Sequence, residues 1–198
     1  MLFATPHVWP HLTLTAEREA AVRRAYAELR PIAGLELRLG FELTPTHALL
    51  REDPHRYELE RTGAVLMEVP FLGATELVNA LAKHIVREGL RPVIAHPERT
   101  EAVLHTPRLA QEYAERGWLV QVNATSLTGR HGPEIHDLAW SLLHRGIASI
   151  VASDGHREAR PPFLDDAYEA VRHRFGFEAI RLFDGSALGL DLPHAVAD

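Results

Sequence analysis

Six residues able to hold a metal stand at or near the ends of apolar runs. VIAHPER closes on His96 with Arg99 three residues on, and SIVASDGH closes on Asp154 and His156. LFATPH ends in His7, LRLGFE ends in Glu42, and Glu68 interrupts AVLMEV. In a sheet covered by helices, the carboxyl ends of the strands are where ligands and catalytic groups collect. Imidazole and carboxylate aimed from five strand ends at one place outline a multinuclear metal centre. Nitrogen and oxygen donors without sulfur suit manganese, iron or zinc. Two or three such ions, about 3.5–4 Å apart, generate hydroxide and neutralise a phosphoryl group during in-line attack. The chemistry expected is hydrolysis.

Each residue also has a plainer reading. His96 by itself can be a strand-end histidine bonded to a carbonyl, and Arg99 can pair with Glu98 or Glu101 on a solvated loop instead of clamping two phosphate oxygens. Asp154 can be a capping residue beside a surface His156, with Gly155 between them letting the backbone turn sharply. Glu68 can face solvent, since strands alternate, but facing a packed core it is costly unless paired or metal-bound. Glu42 borders a loop. His11 competes with His7 and ranks behind it.

The elements that must position these groups alternate. Strands are expected over 2–5, through LELRLGFE, and over 64–69, 92–95, 118–122, 147–152 and 179–183. Helices are expected over 16–29, 74–88, 107–116, 133–144 and 161–175. The first has Ala20, Ala21, Ala25 and Leu29 at helical spacing behind a Thr15 cap, and Gly89, Gly117, Gly146 and Gly176 follow helices where a left-handed stop residue belongs. Residues 44–62 read as a loop with a short turn. Strand–helix repetition with short connections predicts parallel strands and right-handed crossovers. A barrel is favoured over an open sheet because ligands come from the ends of many strands.

Composition sets the frame. The 198 residues, 46% hydrophobic and 24% charged, are expected to form one α/β domain spanning 1–198. The absence of cysteine excludes thiolate nucleophiles and thiolate metal sites. A net charge of −6 argues against duplex nucleic acid as partner. No apolar stretch approaches the roughly 20 residues of a membrane span, and no signal-peptide pattern opens the chain, so a cytoplasmic protein without membrane insertion is expected.

AHPER and ASDGH with the downstream RPP, in the ligand order His, Glu, Glu, His, Asp-x-His, resemble the polymerase and histidinol phosphatase (PHP) superfamily. Within it, PVIAHPER, VQVNATSL, IVASDGH and RPPFLDDAYEAV are similar to the metal-dependent bacterial tyrosine-protein phosphatases of capsule and exopolysaccharide operons. The resemblance implies a distorted (β/α)7-type barrel. It also implies two to three divalent metals, manganese first with iron or zinc as alternatives, on His7, Glu42, Glu68, His96, Asp154 and His156. Glu42 would bridge two metals, and Arg99 and Arg160 would hold the phosphate, with Asn123 in a similar strand-end string. The implied reaction is attack of metal-bound hydroxide on phosphotyrosine, without a phosphoenzyme. The implied partner is a phosphotyrosyl protein, the tail of a bacterial tyrosine kinase, or a small phosphoester.

One departure qualifies these expectations. Family members open with a strand carrying His-x-His, which this sequence lacks, so the barrel is expected to lack its first β/α unit. The first metal would keep Glu42 and Asp154, the third His7 and His156, and only the middle one, on Glu42, Glu68 and His96, would be complete. An open barrel exposes an edge that favours homo-oligomers. Met1 abutting LFAT points to a start placed too far downstream, the alternative being a genuine short form. The rival functions are a histidinol-phosphate-type phosphatase and a non-catalytic phosphotyrosine-binding relic.

Overall fold

The computed structural model describes residues 1–72, 75–156, 158 and 160–190. Two compact units divide them: the first holds Met1–Pro70 and the segment running up to Val93, the second Phe71, Leu72 and the chain from Ile94 onward.

In the first unit the strand expected over 2–5 stops short of Pro6, which has no N–H to offer a ladder, and a second strand that was not expected follows it. β1 (Leu2–Ala4) ends before it and β2 (His7–Val8) begins after it. Then come α1 (Ala16–Leu29), β3 (Leu37–Leu39), β4 (Glu42–Leu43), β5 (Ala64–Glu68), α2 (Glu76–Arg87) and β6 (Arg91–Ala95), whose last two residues belong to the second unit. β1 pairs with β3, β2 with β4 and β4 with β5, all in parallel. β2, β4, β5 and β6 lie in that lateral order. α2 buries Val78, Leu81, Ala82 and Ile85, the i, i+3, i+4, i+7 stripe of a core-facing helix. Each large apolar side chain so buried contributes about 1.5–3 kcal/mol.

α1 presents a different face from the one its alanines suggest. Thr15 caps it as expected, its hydroxyl accepting from Arg18 N–H at 3.2 Å. Ala20, Ala21, Ala25 and Leu29 are all exposed, whereas Arg18, Glu19, Val22 and Tyr26 are half-buried. A tyrosine offers more apolar surface than an alanine and needs a partner for its hydroxyl. Tyr26 finds two, donating to Glu60 Oε2 at 2.6 Å and lying 3.0 Å from Leu37 O. The 44–62 stretch is loop with short 3-10 turns at Leu49–Arg51 and Pro54–Tyr57. Tyr57 and Leu59 from it fill the core, Tyr57 meeting Phe41 edge-on with ring centroids 6.0 Å apart.

The second unit continues with α3 (Glu101–His105), α4 (Arg108–Glu115), β7 (Leu119–Asn123), α5 (Ala124–Leu127), α6 (Pro133–His144), β8 (Ile150–Ala152) and α7 (Asp165–Phe175). β7 and β8 are parallel and follow β6 laterally. α7 starts at Asp165, and a start at 161 is disfavoured because Pro162 pushes Pro161 out of the helical region. The strand expected over 179–183 is a 3-10 helix, Gly176–Leu182. Within 177–182 only Ala179 is buried, so this run has no face to offer a sheet. Parallel strands linked through helices make the α/β class expected from the alternation. Among the described residues no helix is long and apolar enough to cross a membrane.

Gly40 shows how tightly β3 and β4 meet the 44–62 stretch. A Cβ there would sit 2.5 Å from Leu59 Cδ2 and 3.2 Å from its Cα. Since Leu59 is itself buried, it has little room to yield. Gly40→Ala is expected to destabilise the protein by about 1–3 kcal/mol, read as a lowered midpoint in thermal or urea denaturation; an unchanged midpoint would refute the packing argument.

Candidate functional site

Strand register brings three of the expected residues together in the first unit. His7 on β2 pairs with Glu42 on β4, and Glu42 in turn with Leu66 on β5, two residues before Glu68. The donor atoms of His7, Glu42 and Glu68 lie within 4.8 Å of one another, with His7 Nδ1 3.8 Å from Glu42 Oε2. Glu42 is 4% and Glu68 7% exposed, so the solvent-facing reading of Glu68 does not hold. Thr44 donates its hydroxyl to Glu68 Oε1. Arg18 on α1 holds the His7 carbonyl through Nη2 at 2.7 Å and the Leu12 carbonyl through Nη1 at 2.6 Å. Trp9 stacks on His7 at 4.5 Å and tilts against His11 at 5.3 Å. His11 is exposed and stays outside the cluster.

This donor set fits a divalent ion. Two carboxylates withdrawn from water repel each other unless cationic charge or hydrogen bonds compensate. The imidazole nitrogen and carboxylate oxygens stand where an ion about 2.0–2.2 Å from each is reached by small side-chain shifts.

The second unit gathers the remaining candidates. His96, 3% exposed, follows β6 and adopts a left-handed backbone, φ 34°, from which the turn Pro97–Arg99 departs. That turn is closed by Arg99 N–H donating to His96 O at 3.0 Å. Asp154 after β8 is also left-handed, φ 50°. The sharp turn credited to Gly155 thus lies at Asp154. The glycine serves a different need, because a Cβ on it would come 2.7 Å from the backbone of Pro162.

Asp154 Oδ2 is the hub of this unit. It accepts from Arg99 Nη1 at 3.0 Å, from Asn123 Nδ2 at 2.7 Å and from Arg160 Nη2. Arg99 therefore pairs with neither Glu98 nor Glu101. His156 Nδ1 is 3.4 Å from the other carboxylate oxygen, Oδ1, and 2.9 Å from Asp154 O. His156 N–H donates to Arg160 O at 2.9 Å, which closes the loop bearing both arginine and histidine. Two guanidiniums and an amide converging on one carboxylate set out donors for an oxyanion.

Glu98 was not singled out in the sequence, where it reads as a solvated charge. It is wholly buried. Its Oε1 accepts Asn123 N–H at 3.0 Å and the Ser126 hydroxyl at 2.7 Å, while Oε2 has no hydrogen-bond partner among the described residues. Burial pushes its carboxyl above the ordinary value, against the opposing pull of the Asn123 N–H. Gln121 Nε2 donates to Asn123 Oδ1 at 2.8 Å, so Asn123 is fixed at both ends before it reaches Asp154. His131 was also missed. Its ring lies 2.9 Å from Thr125 Oγ1, and burial, then the charges of Arg99 and Arg160, hold its pKa below the ordinary value.

Comparison with known proteins gives a consistent picture. The family model for capsular polysaccharide synthesis, CpsB/CapC, matches residues 1–184. A putative tyrosine-protein phosphatase CapC of Staphylococcus aureus is 31% identical over 134 residues, 66% of this chain and 52% of its own length. Tyrosine-protein phosphatase YwqE of Bacillus subtilis is 29% identical over 192 residues, 89% of this chain and 72% of its own. The chain thus spans about half the length of the staphylococcal relative. A crystal structure from the work on YwqE of Bacillus subtilis and CpsB of Streptococcus pneumoniae, metal-dependent tyrosine phosphatases, matches with a TM-score of 0.78 at 28% identity. That match covers 89% of this chain and 74% of the other, and it gives the PHP-type α/β fold expected.

If Glu98 ties the His96–Arg99 turn to the end of β7, its two substitutions should differ. Glu98→Ala removes the acceptor from a buried N–H and a buried hydroxyl and is expected to cost about 1–3 kcal/mol or more. Glu98→Gln keeps a carbonyl oxygen for both donors and is expected to cost distinctly less. Denaturation midpoints of the two variants decide the matter, and equal losses would show that the hydrogen bonds to Asn123 and Ser126 are not what Glu98 contributes.

Proposed function

Because the chain belongs to the CpsB/CapC family of capsular polysaccharide synthesis, we propose that it is a metal-dependent phosphoesterase acting on phosphotyrosyl protein. The protein we have in view is a regulator of capsular or exopolysaccharide assembly, such as the phosphorylated tail of a bacterial tyrosine kinase, and the compartment is the cytoplasm. The observation that carries this reading is the His7, Glu42 and Glu68 cluster, two buried carboxylates and a half-buried imidazole whose donor atoms lie within 4.8 Å. The cofactor proposed is two or three divalent ions, manganese first, with His96, Asp154 and His156 as further ligands. Such ions supply Lewis acidity toward a phosphoryl group and acidify water.

The chain's own residues account for substrate binding. Arg99 and Arg160 carry planar forks of donors that match phosphate oxygens in pairs. Both point at Asp154 Oδ2, so a phosphate arriving there exchanges one oxyanion partner for another. The Asn123 amide keeps Asp154 in place during that exchange. Arg99 is only 15% exposed in its side chain, which strengthens its hold on an anion relative to a fully solvated guanidinium. The names of relatives, each a tyrosine-protein phosphatase, support the aryl phosphoester as substrate.

Metal content by mass spectrometry, beside hydrolysis of a phosphotyrosyl peptide with added Mn²⁺, tests the reading. Two or more ions per chain with turnover are expected. Glu68→Ala should lower metal content and cut turnover beyond the roughly 10–100-fold that follows loss of a group merely hydrogen-bonded to a ligand. Turnover of histidinol phosphate in place of the peptide would redirect the reading to a small-molecule phosphatase, and binding without turnover would leave a non-catalytic module. Arg99→Lys should raise KM for the peptide more than it lowers kcat, since a point charge replaces a bidentate fork; an unaltered KM would remove Arg99 from the phosphate site.

A further inference from the structure

Beside the phosphate-binding arginine lies an aromatic side chain to which nothing so far gives a role. Phe71 is 45% exposed and Leu72 after it 76%. Apolar surface of that size left in water has a cost that the fold did not remove. The Phe71 ring is nonetheless held. Its backbone carbonyl accepts from Glu101 N–H at 3.0 Å, at the start of α3. Its ring lies nearly parallel to that of His96, 8° between planes and 5.8 Å between centroids. The Arg99 guanidinium carbon stands over it, 5.2 Å from the centroid.

We propose that Phe71 is the residue that recognises the aromatic ring of the substrate, and so selects aryl over alkyl phosphoesters. This rests on the phosphatase reading above. In an aryl phosphate the ring is one ester oxygen away from the phosphorus. A phosphate held by Arg99 therefore places that ring beside the aromatic side chain on which Arg99 itself rests. Ring–ring contact there favours offset or edge-on stacking, which Phe71 can make through its open surface. A seryl or other alkyl phosphate brings no ring to this place and gains only the phosphate contacts. Pinning by Glu101 and the parallel His96 ring means that little ordering entropy is lost when the substrate ring arrives.

Non-hydrolysable phosphonates separate ring recognition from leaving-group chemistry. Inhibition constants of phenylphosphonate and methylphosphonate are measured against phosphotyrosyl peptide hydrolysis for the unaltered protein, Phe71→Ala and Phe71→Trp. The unaltered protein is expected to prefer phenylphosphonate. Phe71→Ala should shrink that preference about three- to tenfold, and Phe71→Trp should restore it. Equal weakening of both phosphonates in Phe71→Ala, with the preference intact, would show that Phe71 only props Arg99 and His96 and would overturn the proposal. An unaltered protein that hydrolyses no phosphotyrosyl peptide would overturn the phosphatase reading, and this inference with it.

Discussion

Four carboxylates, Glu42, Glu68, Glu98 and Asp154, have side chains almost or wholly withdrawn from water. The rest of the structure is arranged around compensating them. An ionised carboxylate buried without partners costs far more than any single packing contact returns. Each of the four meets that cost differently. Glu98 is held by the backbone N–H of Asn123 at the end of β7 and the hydroxyl of Ser126 in α5. Asp154 is held by two guanidiniums and an amide. Glu42 and Glu68 have His7 and the Thr44 hydroxyl close by, a set whose remaining negative charge suits a divalent cation. The same physical constraint thus yields structure at Glu98 and, at the others, the features on which the proposed ligand binding rests.

The first unit shows how secondary structure serves this. Three parallel strands carry His7, Glu42 and Glu68: His7 and Glu42 share a register position, and Glu68 stands two residues beyond Leu66, the partner of Glu42, a spacing that returns its side chain to the same face of the sheet. α1 contributes through Arg18, whose guanidinium holds the carbonyls of His7 and Leu12. That accounts for the inward turn of Arg18 in a helix that leaves its alanines in water. Arg18 fixes the segment carrying His7, while Tyr26 ties the helix to Leu37 and Glu60.

What was legible beforehand follows from the range of the interactions. His7, Glu42, Glu68, His96 and Asp154 each end or interrupt an apolar run, and that local signal is enough to name them. Helix caps such as Thr15, with a partner three residues away, are legible for the same reason. Glu98 was hidden because its partners Asn123 and Ser126 are 25 and 28 residues distant; a glutamate beside an arginine reads as a surface pair until the fold shows it turned inward. The strand expected over 179–183 failed for lack of a neighbour, which composition cannot supply. Gly155 was noticed for the wrong property, since its proximity to Pro162 is a tertiary contact.

Backbone geometry adds a separate argument for where chemistry resides. His96 and Asp154 are two of the three described residues other than glycine with positive φ. A left-handed backbone at a residue with a Cβ costs of order 1–3 kcal/mol and persists only where its surroundings over-determine it. At His96 the following turn does so through Arg99 N–H. At Asp154 the three donors on Oδ2 do so, with the His156–Arg160 backbone bond closing the loop beyond. A glycine at either position would relieve the strain and lose the side chain. The fold keeps an imidazole and a carboxylate there in spite of their backbones, and each strained residue is joined to a phosphate-binding candidate, His96 to Arg99 through the turn and Asp154 to both arginines through its carboxylate. Strain and charge therefore meet at the same points in the second unit, where the proposed phosphate contacts also lie.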